Sequence, residues 1–427
     1  MYNFQKEYHL KAHSPLIHFQ YDSNGATLRA TEVKPKLDRY IIYKKGRDNI
    51  PESWKRDNND KKDKTDSDNK SEKAKNFSLK YQLRIVILEG TKVEKVYLGI
   101  KDENGNKLPK EEKIYDIYYG NMGADASQYK KGILADAKLI VTCFEEDLLA
   151  YIDKIIGDFF IVTNFGTMQS KGFGSFTVKE KDSSQQHICE VLKDRYTCNK
   201  GHCYMFKPEA GKTFKQIKAI YSLMKSGLNF TDGTEKGTEK DADRNPKVPY
   251  KRSILFDYMH DLPNNIGNEK AWMKQKDISP KIGRQKEQKD KNSKYVRALF
   301  GIGERIEYKR YLTNPYDKVV VTISHVDDSK DGSEKIERLN SPILFKVIDD
   351  IVYFVGCELN EKIYGKRFLF SSEFKHDDTL TVPKKEDLPS DFMNDFMHYA
   401  YQKLKVTSCA SKNINQKTRC LIQAKGC

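Results

Sequence analysis

Residues 138–178 read KLIVTCFEEDLLAYIDKIIGDFFIVTNFGTMQSKGFGSFTV, and the fold prediction starts from them. The β-branched and aromatic run at 138–144 predicts a strand. From residue 145 onward the apolar side chains recur at helical spacing, which predicts a helix with one apolar side: Leu148, Leu149, Ile152, Ile155 and Ile156. A glycine-rich loop at 166–175 then leads into a short strand at 176–178. This order predicts an α+β fold.

The N-terminal part of the chain supplies the other predicted elements of this domain. Polar and apolar residues alternate over 5–13 and again over 78–89, which predicts two strands. Between them, Thr31 caps a predicted helix whose apolar positions are Val33, Leu37, Tyr40 and Ile41. Over 1–180 the order is strand, helix, strand, strand, helix, strand. That order predicts a ferredoxin-like (βαββαβ) sheet of four antiparallel strands with two helices on one face, as in RNA-recognition domains.

The chain is predicted to form two domains, because its 427 residues exceed what one core usually fills. We place the first at 1–185 and the second, a related α+β domain, at 186–427. Lys, Asp, Asn and Ser dominate 44–76, which predicts a mobile charged insertion in the first domain. In the second domain we predict polar mobile loops near 231–246 and 279–294, helices at 213–226 and 390–403, and strands at 318–325, 343–348 and 351–357.

Charge and hydropathy limit the classes of protein to which the chain can belong. No apolar run is long enough to span a bilayer, and residues 1–7 carry no secretory signal, so we expect a cytoplasmic protein without a membrane partner. The net charge is +15. A polyanion such as nucleic acid would be a natural partner for that charge, although a lysine-rich surface that only keeps the protein in solution has the same composition.

The glycine-rich loop is the strongest candidate for a binding function. Gly172 and Gly174 allow left-handed backbone and close approach, while Ser170 and Lys171 add a hydroxyl and a cation. Such a loop can present N–H groups to phosphates. It follows a helix and precedes a strand, the reverse of a dinucleotide-binding loop, and it lacks the G-K-[ST] sequence of a Walker loop, so no cofactor is expected. A plain connection, with glycine ending the helix, remains the alternative.

Cations also surround the first predicted helix. Arg29, Lys34, Lys36 and Arg39 lie within eleven residues and would suit a surface that follows a phosphate backbone. Glu32 and Asp38 lie among them, so an ordinary salt-bridged helix face is the competing interpretation.

The early histidines raise a catalytic alternative. Imidazole titrates near neutral pH and could serve as general acid or base in metal-independent RNA cleavage. The candidates are His9, His13 and His18. Asp22 could instead hold a metal ion for cleavage, although a carboxylate beside Ser-Asn-Gly is also a common turn former.

A cysteine and histidine cluster in the middle of the chain is a candidate zinc site. Its members are His187, Cys189, Cys198, His202 and Cys203. No C-x-x-C pair is present and the spacing fits no common zinc module, so ordinary reduced thiols are the simpler interpretation.

Two segments resemble the RAMP superfamily of antiviral CRISPR effector proteins. Residues 14–17 (SPLI) and 25–39 (GATLRATEVKPKLDR) are similar to its "T/S-P-L … E-L-R-x-x-S-I-K-G-x-L-R" passage, most closely in the first subunit of the type III-B (Cmr) module. Residues 166–176 resemble the glycine-rich loop before the last strand of the family's domain. A third segment, 338–343 (RLNSPI), resembles that subunit's "R-x-x-S-P-L" stretch.

The resemblance implies a non-catalytic subunit of a type III effector that binds single-stranded guide or target RNA beside other RAMP subunits. By position it implies RNA contacts from Lys34 and Arg39 on the helix and from the loop residues Ser170, Lys171, Gly172 and Gly174. Two alternatives stay open: an endoribonuclease of the same superfamily, which would process CRISPR repeats or cleave target RNA, and a protein with only a structural or interaction role.

Overall fold

The computed structural model describes residues 4–17, 27–56, 77–88, 94–97, 131–197, 201–229, 250–275, 292–303, 305–309, 318–326, 336, 339–372 and 377–410. These residues form two compact units. The first holds the described residues of Met1–Asp116, Ser127–Leu192 and Lys346–Asp350. The second holds those of Lys193–Phe345 and Ile351–Cys427.

The first unit combines strands with helices. Its strands are β1 (Gln5–Ala12), β2 (Gln82–Ile87), β3 (Glu94–Tyr97), β4 (Lys131–Leu134), β5 (Ala137–Thr142) and β6 (Phe176–Val178). Its helices are α1 (Ala30–Lys45), α2 (Glu146–Val162) and the first part of α3 (Gln185–Thr197).

Four of these strands form one sheet in the order β2-β5-β1-β6. Every neighbouring pair is antiparallel: β1 with β5, β1 with β6, and β2 with β5. In this register Tyr8 lies opposite Leu139, and Leu10 lies opposite both Ala137 and Val178. Strands β3 and β4 form a separate antiparallel pair.

One face of this sheet packs against helices, as the alternating sequence predicts. Tyr8 and Leu10 of β1 are buried with Leu139 and Val141 of β5, while the residues between them are more exposed. Helix α2 packs on β1 and β6 and also touches α1. The helices contribute a row of buried aliphatic and aromatic side chains: Val33, Leu37, Ile41, Ile152, Ile156, Phe159 and Phe160. Each such side chain contributes about 1.5–3 kcal/mol on full burial.

The predicted mobile insertion differs from the structure at its start. Helix α1 continues to Lys45, and two short 3₁₀ turns follow at Arg47–Asn49 and Glu52–Trp54. The ring of Trp54 is buried and lies 5.6 Å from that of Tyr151 on α2. Backbone hydrogen bonds join the same stretch to the segment that leads into β2, from Arg56 to Ser78 and from Lys80 to Trp54, both at 2.8 Å. Residues 57–76 of the insertion lie outside the described part of the chain.

The second unit begins within α3 and contains the remaining elements. The helices are α4 (Thr213–Lys225), α5 (Ile254–Asp261), α6 (Glu269–Gln275) and α7 (Phe392–Ala410). The strands are β7 (Tyr204–Phe206), β8 (Leu228–Asn229), β9 (Tyr250–Lys251), β10 (Gly267–Asn268), β11 (Ser293–Lys294), β12 (Arg305–Lys309), β13 (Lys318–His325), β14 (Ile343–Ile348), β15 (Ile351–Gly356), β16 (Arg367–Ser372) and β17 (Asp377–Thr381); residues 346–348 of β14 belong to the first unit.

Two sheets dominate this unit. Strands β12-β13-β16-β17 form an antiparallel sheet in that order, and β14-β15-β7 form another. The helix predicted at 213–226 and the strands predicted at 318–325, 343–348 and 351–357 are confirmed as α4, β13, β14 and β15. The predicted loops near 231–246 and 279–294 fall outside the described residues, apart from residues 292–294, of which Ser293 and Lys294 form β11.

The whole chain is therefore mixed α and β, with several antiparallel sheets and seven α-helices in the part that the structure describes. None of the helices in that part is long and apolar enough to span a lipid bilayer.

Candidate nucleic-acid interface

The glycine-rich loop connects α2 to β6 and is closely folded. Gly166, Gly172 and Gly174 all have positive φ, at 75°, 83° and 65°. A Cβ atom on Gly174 would lie 2.0 Å from the carbonyl oxygen of Phe165, and one on Gly166 would lie 2.4 Å from that of Ile17. At both positions only glycine fits, because the backbone conformation and the neighbouring carbonyl each exclude a side chain.

Many of the loop's backbone N–H groups donate within the protein. Gly174 donates to the carbonyl of Pro15 at 2.9 Å, and Thr167 donates to that of Ile17 at 2.8 Å. Gly172 and Lys171 donate to carbonyls inside the loop itself. The sequence-based expectation that this loop presents its N–H groups to phosphates is therefore wrong for these donors, which instead fix the loop's shape.

The loop is joined to α1 through Glu32 and Lys36. The carboxylate of Glu32 accepts a hydrogen bond from the Gly166 N–H at 2.8 Å. The amine of Lys36 bonds that same carboxylate at 3.0 Å, the Asn164 carbonyl at 2.9 Å and the side-chain oxygen of Gln169 at 3.1 Å. Burial lowers the pKa of Lys36, and the charge of Glu32 opposes that shift. The structure therefore brings together the two segments that sequence analysis singled out separately.

Lys34 is held in a second internal network on α1. Its amine bonds the carboxylate of Asp38 at 2.9 Å, the hydroxyl of Ser78 at 3.1 Å and the carbonyl of Leu79 at 3.1 Å, and it lies 4.1 Å from the centre of the Tyr81 ring. The Lys34–Asp38 and Lys36–Glu32 pairs are both i,i+4 salt bridges. The contacts of these two lysines are therefore those of a salt-bridged helix face, which is the interpretation that competes with a phosphate-binding surface.

The other predicted RNA-binding residues differ in exposure. Arg39 is exposed, and its Nε donates to the carbonyl of Pro35 at 3.1 Å. Arg29 is the N-terminal cap residue of α1 and is half-exposed. Ser170 is half-buried on the loop, whereas the amine nitrogen of Lys171 is buried. Among the predicted RNA-binding cations, Arg39 is therefore the one that is exposed, whereas Arg29 is half-exposed like Lys34 and Lys36.

The candidate catalytic histidines have separate partners. His9 is exposed, and its Nδ1 forms a hydrogen bond with the carboxylate of Glu180. The side chain of His13 is only 2% exposed: its Nε2 lies 2.7 Å from the hydroxyl of Thr177, and its Nδ1 accepts from the N–H of Asp349 at 2.9 Å. Burial lowers the pKa of His13 to about 4. His18 and Asp22 lie outside the described residues.

The candidate zinc ligands are placed as follows. Nε2 of His187 lies 2.9 Å from the carboxylate of Asp158. Cys189 and Cys203 are buried, and His202 is exposed, while Cys198 lies outside the described residues. Among the side chains that the structure describes, no group of three or more His, Cys, Asp or Glu residues is arranged to hold a metal ion.

One residue that sequence analysis did not identify is Lys346, which joins α2 to β6 in the first unit. Its side chain is buried, and its amine bonds the carbonyls of Phe160 at 2.7 Å, Thr163 at 2.9 Å and Phe176 at 3.3 Å. A signal was present, because the strand segment ILFKVI places a lysine in an otherwise apolar run. Only the tertiary structure reveals that the amine caps the carboxyl end of α2, some 180 residues earlier in the chain.

Comparison with protein-family models gives two matches. Residues 3–228 match the model of the Cmr1 N-terminal domain, and residues 250–420 match that of the Cmr1 C-terminal domain. Together the two matches cover nearly the whole chain. No curated protein matches the chain.

Proposed function

The chain belongs to the Cmr1 family of type III-B CRISPR effector subunits, and from that membership we propose that it binds single-stranded RNA, the guide or the target strand, within the effector complex. The proposed contact surface consists of α1 and the glycine-rich loop. One observation carries the proposal: Glu32 and Lys36 join these two segments into a single surface. Both segments also resemble the RNA-binding subunits of the RAMP superfamily.

The predicted residues would have different roles at this surface. Arg29 and Arg39 would contact phosphates directly, because guanidinium groups donate two parallel hydrogen bonds to phosphate oxygens. Ser170 would donate from the loop. Lys34, Lys36 and Lys171 would act through the position of their segments and through their charge, since their amines lie inside the protein. Gly172 and Gly174 would shape the loop.

We also propose that the first unit is a ferredoxin-like RAMP domain. Its sheet order, β2-β5-β1-β6, has the last strand beside the first and the two middle strands paired at the other edge. All neighbours are antiparallel, and α1 and α2 connect strands that are not adjacent. These features support the βαββαβ arrangement. The division into domains at 1–185 and 186–427, the second of related type, belongs to the same proposal.

The family's place in a multi-subunit complex extends the proposal to protein partners. Members of the Cmr1 family are components of a CRISPR effector assembly, so other Cmr subunits are the expected neighbours. RNA binding by the chain would then contribute to an affinity that is shared with those subunits.

The endoribonuclease alternative is not favoured by the geometry of His13. Its two ring nitrogens are engaged with Thr177 and Asp349, and its side chain is buried. A general acid or base must reach the RNA and exchange a proton near neutral pH. His9 is more accessible but is already paired with a carboxylate.

The proposal is tested by gel-shift titration of the purified chain with an unstructured single-stranded RNA over a series of salt concentrations. We expect the logarithm of the binding constant to fall linearly with the logarithm of salt, with a slope of about −0.7 for each phosphate neutralised. The double substitution Arg29→Ala and Arg39→Ala should weaken binding and flatten that slope.

The matched control is Lys215→Ala, which removes an exposed cation from α4 in the second unit and should leave binding unchanged. Denaturing gels from the same tubes, with and without a chelator, report cleavage. Absence of binding at low salt would overturn the proposal. Cleavage that is lost on His9→Ala would replace it with the endoribonuclease.

A further inference from the structure

A groove runs along the side of α1 that faces away from the glycine-rich loop. Lys34 and Lys36 are two residues apart, so their side chains leave the helix on nearly opposite sides. Lys36 bonds the loop, whereas Lys34 lies in the groove with Ser78. The groove has a volume of about 850 Å³ and is lined by α1 on one side and by Arg56 and residues of 77–83 on the other. That volume lies within the range of about 300–1,000 Å³ that is typical of small-ligand sites.

The groove carries net positive charge. Within it, the carboxylate of Asp38 is neutralised by the amine of Lys34 at 2.9 Å. Arg39 and Arg56 also line the groove, and both are exposed. Their guanidinium groups are therefore the source of the net charge. Guanidinium is the side-chain group best matched in shape to a phosphate, because it can donate two parallel hydrogen bonds.

Apolar carbon lines the same groove as the two arginines. Phe77, Ile42 and Leu83 contribute to the lining, and each is half-buried. Further cations surround the Phe77 ring, since the guanidinium of Arg47 lies 5.6 Å and the amine of Lys55 lies 5.1 Å from its centre. A groove lined both by arginines and by apolar and aromatic carbon matches a ligand that has a flat apolar part and an anionic part. A nucleotide has both, the base and the phosphate.

We propose that this groove binds one nucleotide of a single RNA strand, with the phosphate on Arg39 and Arg56 and the base against Phe77. The inference rests on the proposed function, and it adds a subsite that extends the RNA path beyond the loop side of α1. Arg39 is shared between the two sites, whereas Arg56 and Phe77 belong to the groove alone. An acidic peptide would satisfy the arginines but would leave the apolar lining without a partner, so the groove favours the nucleotide.

The test uses the full chain, an unstructured RNA that contains 4-thiouridine, and the variants Arg56→Ala and Phe77→Leu. Leucine retains apolar volume at position 77 while removing the aromatic ring, and thermal denaturation of each variant checks folding. We expect Phe77→Leu to weaken RNA binding by about fivefold or more, the effect of losing one stacked base. Arg56→Ala should reduce the magnitude of the salt slope by about 0.7. Photo-crosslinks should map to the peptide that contains Phe77.

Lys215→Ala is again the control and should bind as the parent chain does. If the parent binds RNA while both groove variants bind equally well and the crosslinks map elsewhere, the groove inference is wrong and the proposed function stands. If the parent does not bind RNA, both are wrong. Competition by poly-glutamate that is as strong as competition by unlabelled RNA, and that is lost on Arg56→Ala, would identify the groove as a site for acidic polymers and overturn the nucleotide assignment.

Discussion

The carboxylate of Glu32 accepts a hydrogen bond from the backbone N–H of Gly166 at 2.8 Å and so ties the first turn of α1 to the first residue of the glycine-rich loop. The same oxygen accepts from Lys36, which also reaches Asn164 and Gln169. The side chains of Glu32 and Lys36 are only 20% and 18% exposed, so water competes weakly for these bonds. Helix and loop therefore hold one relative position, as the proposed RNA-binding surface requires.

Replacing Glu32 should release the loop from α1. We expect Glu32→Ala to lower the free energy of unfolding by about 1.5–3 kcal/mol, the usual contribution of hydrogen bonds to a charged group, and to weaken RNA binding. Chemical denaturation and gel-shift titration measure the two effects. The control is Glu190→Ala on α3, an exposed carboxylate bonded to the side chain of Gln186, which should change stability by less than about 0.5 kcal/mol. Equal stability of the two variants would contradict the role of Glu32.

The glycines of the loop allow a test that separates backbone strain from steric exclusion. Gly174 and Gly211 have nearly the same φ, 65° and 68°, but a Cβ on Gly174 would meet the Phe165 carbonyl oxygen at 2.0 Å whereas one on Gly211 would meet nothing within 4 Å. Gly211→Ala should therefore cost only the left-handed backbone, about 1–2 kcal/mol. Gly174→Ala carries the same cost and must also displace the backbone of Phe165, because the added methyl group would overlap its carbonyl oxygen.

The expected result is a much lower melting temperature, or loss of folded protein, for Gly174→Ala, and a shift of a few degrees for Gly211→Ala. Thermal denaturation followed by circular dichroism compares the two directly. Similar melting temperatures would mean that the loop can rearrange around an added methyl group, and the close packing of Gly174 would then not be required for its fold.

His13 should make stability depend on pH in the acidic range. Burial lowers its pKa from 6.5 to about 4, with the charges of Lys346 and Lys11 acting in the same direction and those of Asp349 and Asp136 opposing. The unfolded chain therefore binds a proton more readily than the folded chain. The contribution of neutral His13 to the free energy of unfolding is complete above about pH 6.5. It is lost as the pH falls toward about 4, by a total of about 3 kcal/mol.

The measurement is urea denaturation of the parent chain and of His13→Gln at about pH 7.5 and about pH 5. The variant should be less stable at the higher pH, since it loses the bonds to Thr177 and Asp349, but it should lose less stability on acidification than the parent does. Because carboxylates titrate in both proteins, the difference between the two is the quantity that reports His13. An identical loss in both would show that the folded His13 has an ordinary pKa.

The spacing of apolar residues along the sequence was enough to locate much of the first unit. Strands β1, β2, β5 and β6 and helices α1 and α2 all lie where periods of two and of about 3.6 predict them. The glycine-rich loop was also visible, because its glycines are neighbours in sequence, although the bonds that fix its shape reach Pro15, Ile17 and Glu32.

Contacts between distant residues could not be predicted in this way. The composition after Tyr43 indicates a solvated loop, yet in the structure Trp54 packs against Tyr151 and accepts a backbone hydrogen bond from Lys80. The cations of α1 look equivalent in sequence, yet Lys34 and Lys36 are bonded internally while Arg39 is exposed. Which of them faces solvent is decided by acceptors at positions 78–79 and 164–169, and a single sequence does not show that those acceptors lie close by.

Lys346 is the side chain whose replacement we expect to lower the free energy of unfolding most. Its buried amine supplies hydrogen bonds to the carbonyls of Phe160 and Thr163 at the end of α2, where carbonyls have no partner within the helix, and to Phe176 of β6. Burial lowers its pKa well below that of an exposed lysine. Replacing a buried cation with an apolar group can be neutral when its partner is replaced too. Here the three carbonyls remain and lose their donor.

Lys346→Met, which keeps an unbranched side chain of similar length, should therefore lower the free energy of unfolding by about 3 kcal/mol or more. Lys179→Met is the matched control, because it removes an amine that is 45% exposed and paired with Asp136 at 2.9 Å, a surface bridge that contributes about 0–1 kcal/mol. Urea denaturation of both variants at neutral pH gives the comparison. If Lys346→Met were no less stable than Lys179→Met, the carbonyls at the end of α2 would have another donor available, and Lys346 would not be what anchors the segment Lys346–Asp350 in the first unit.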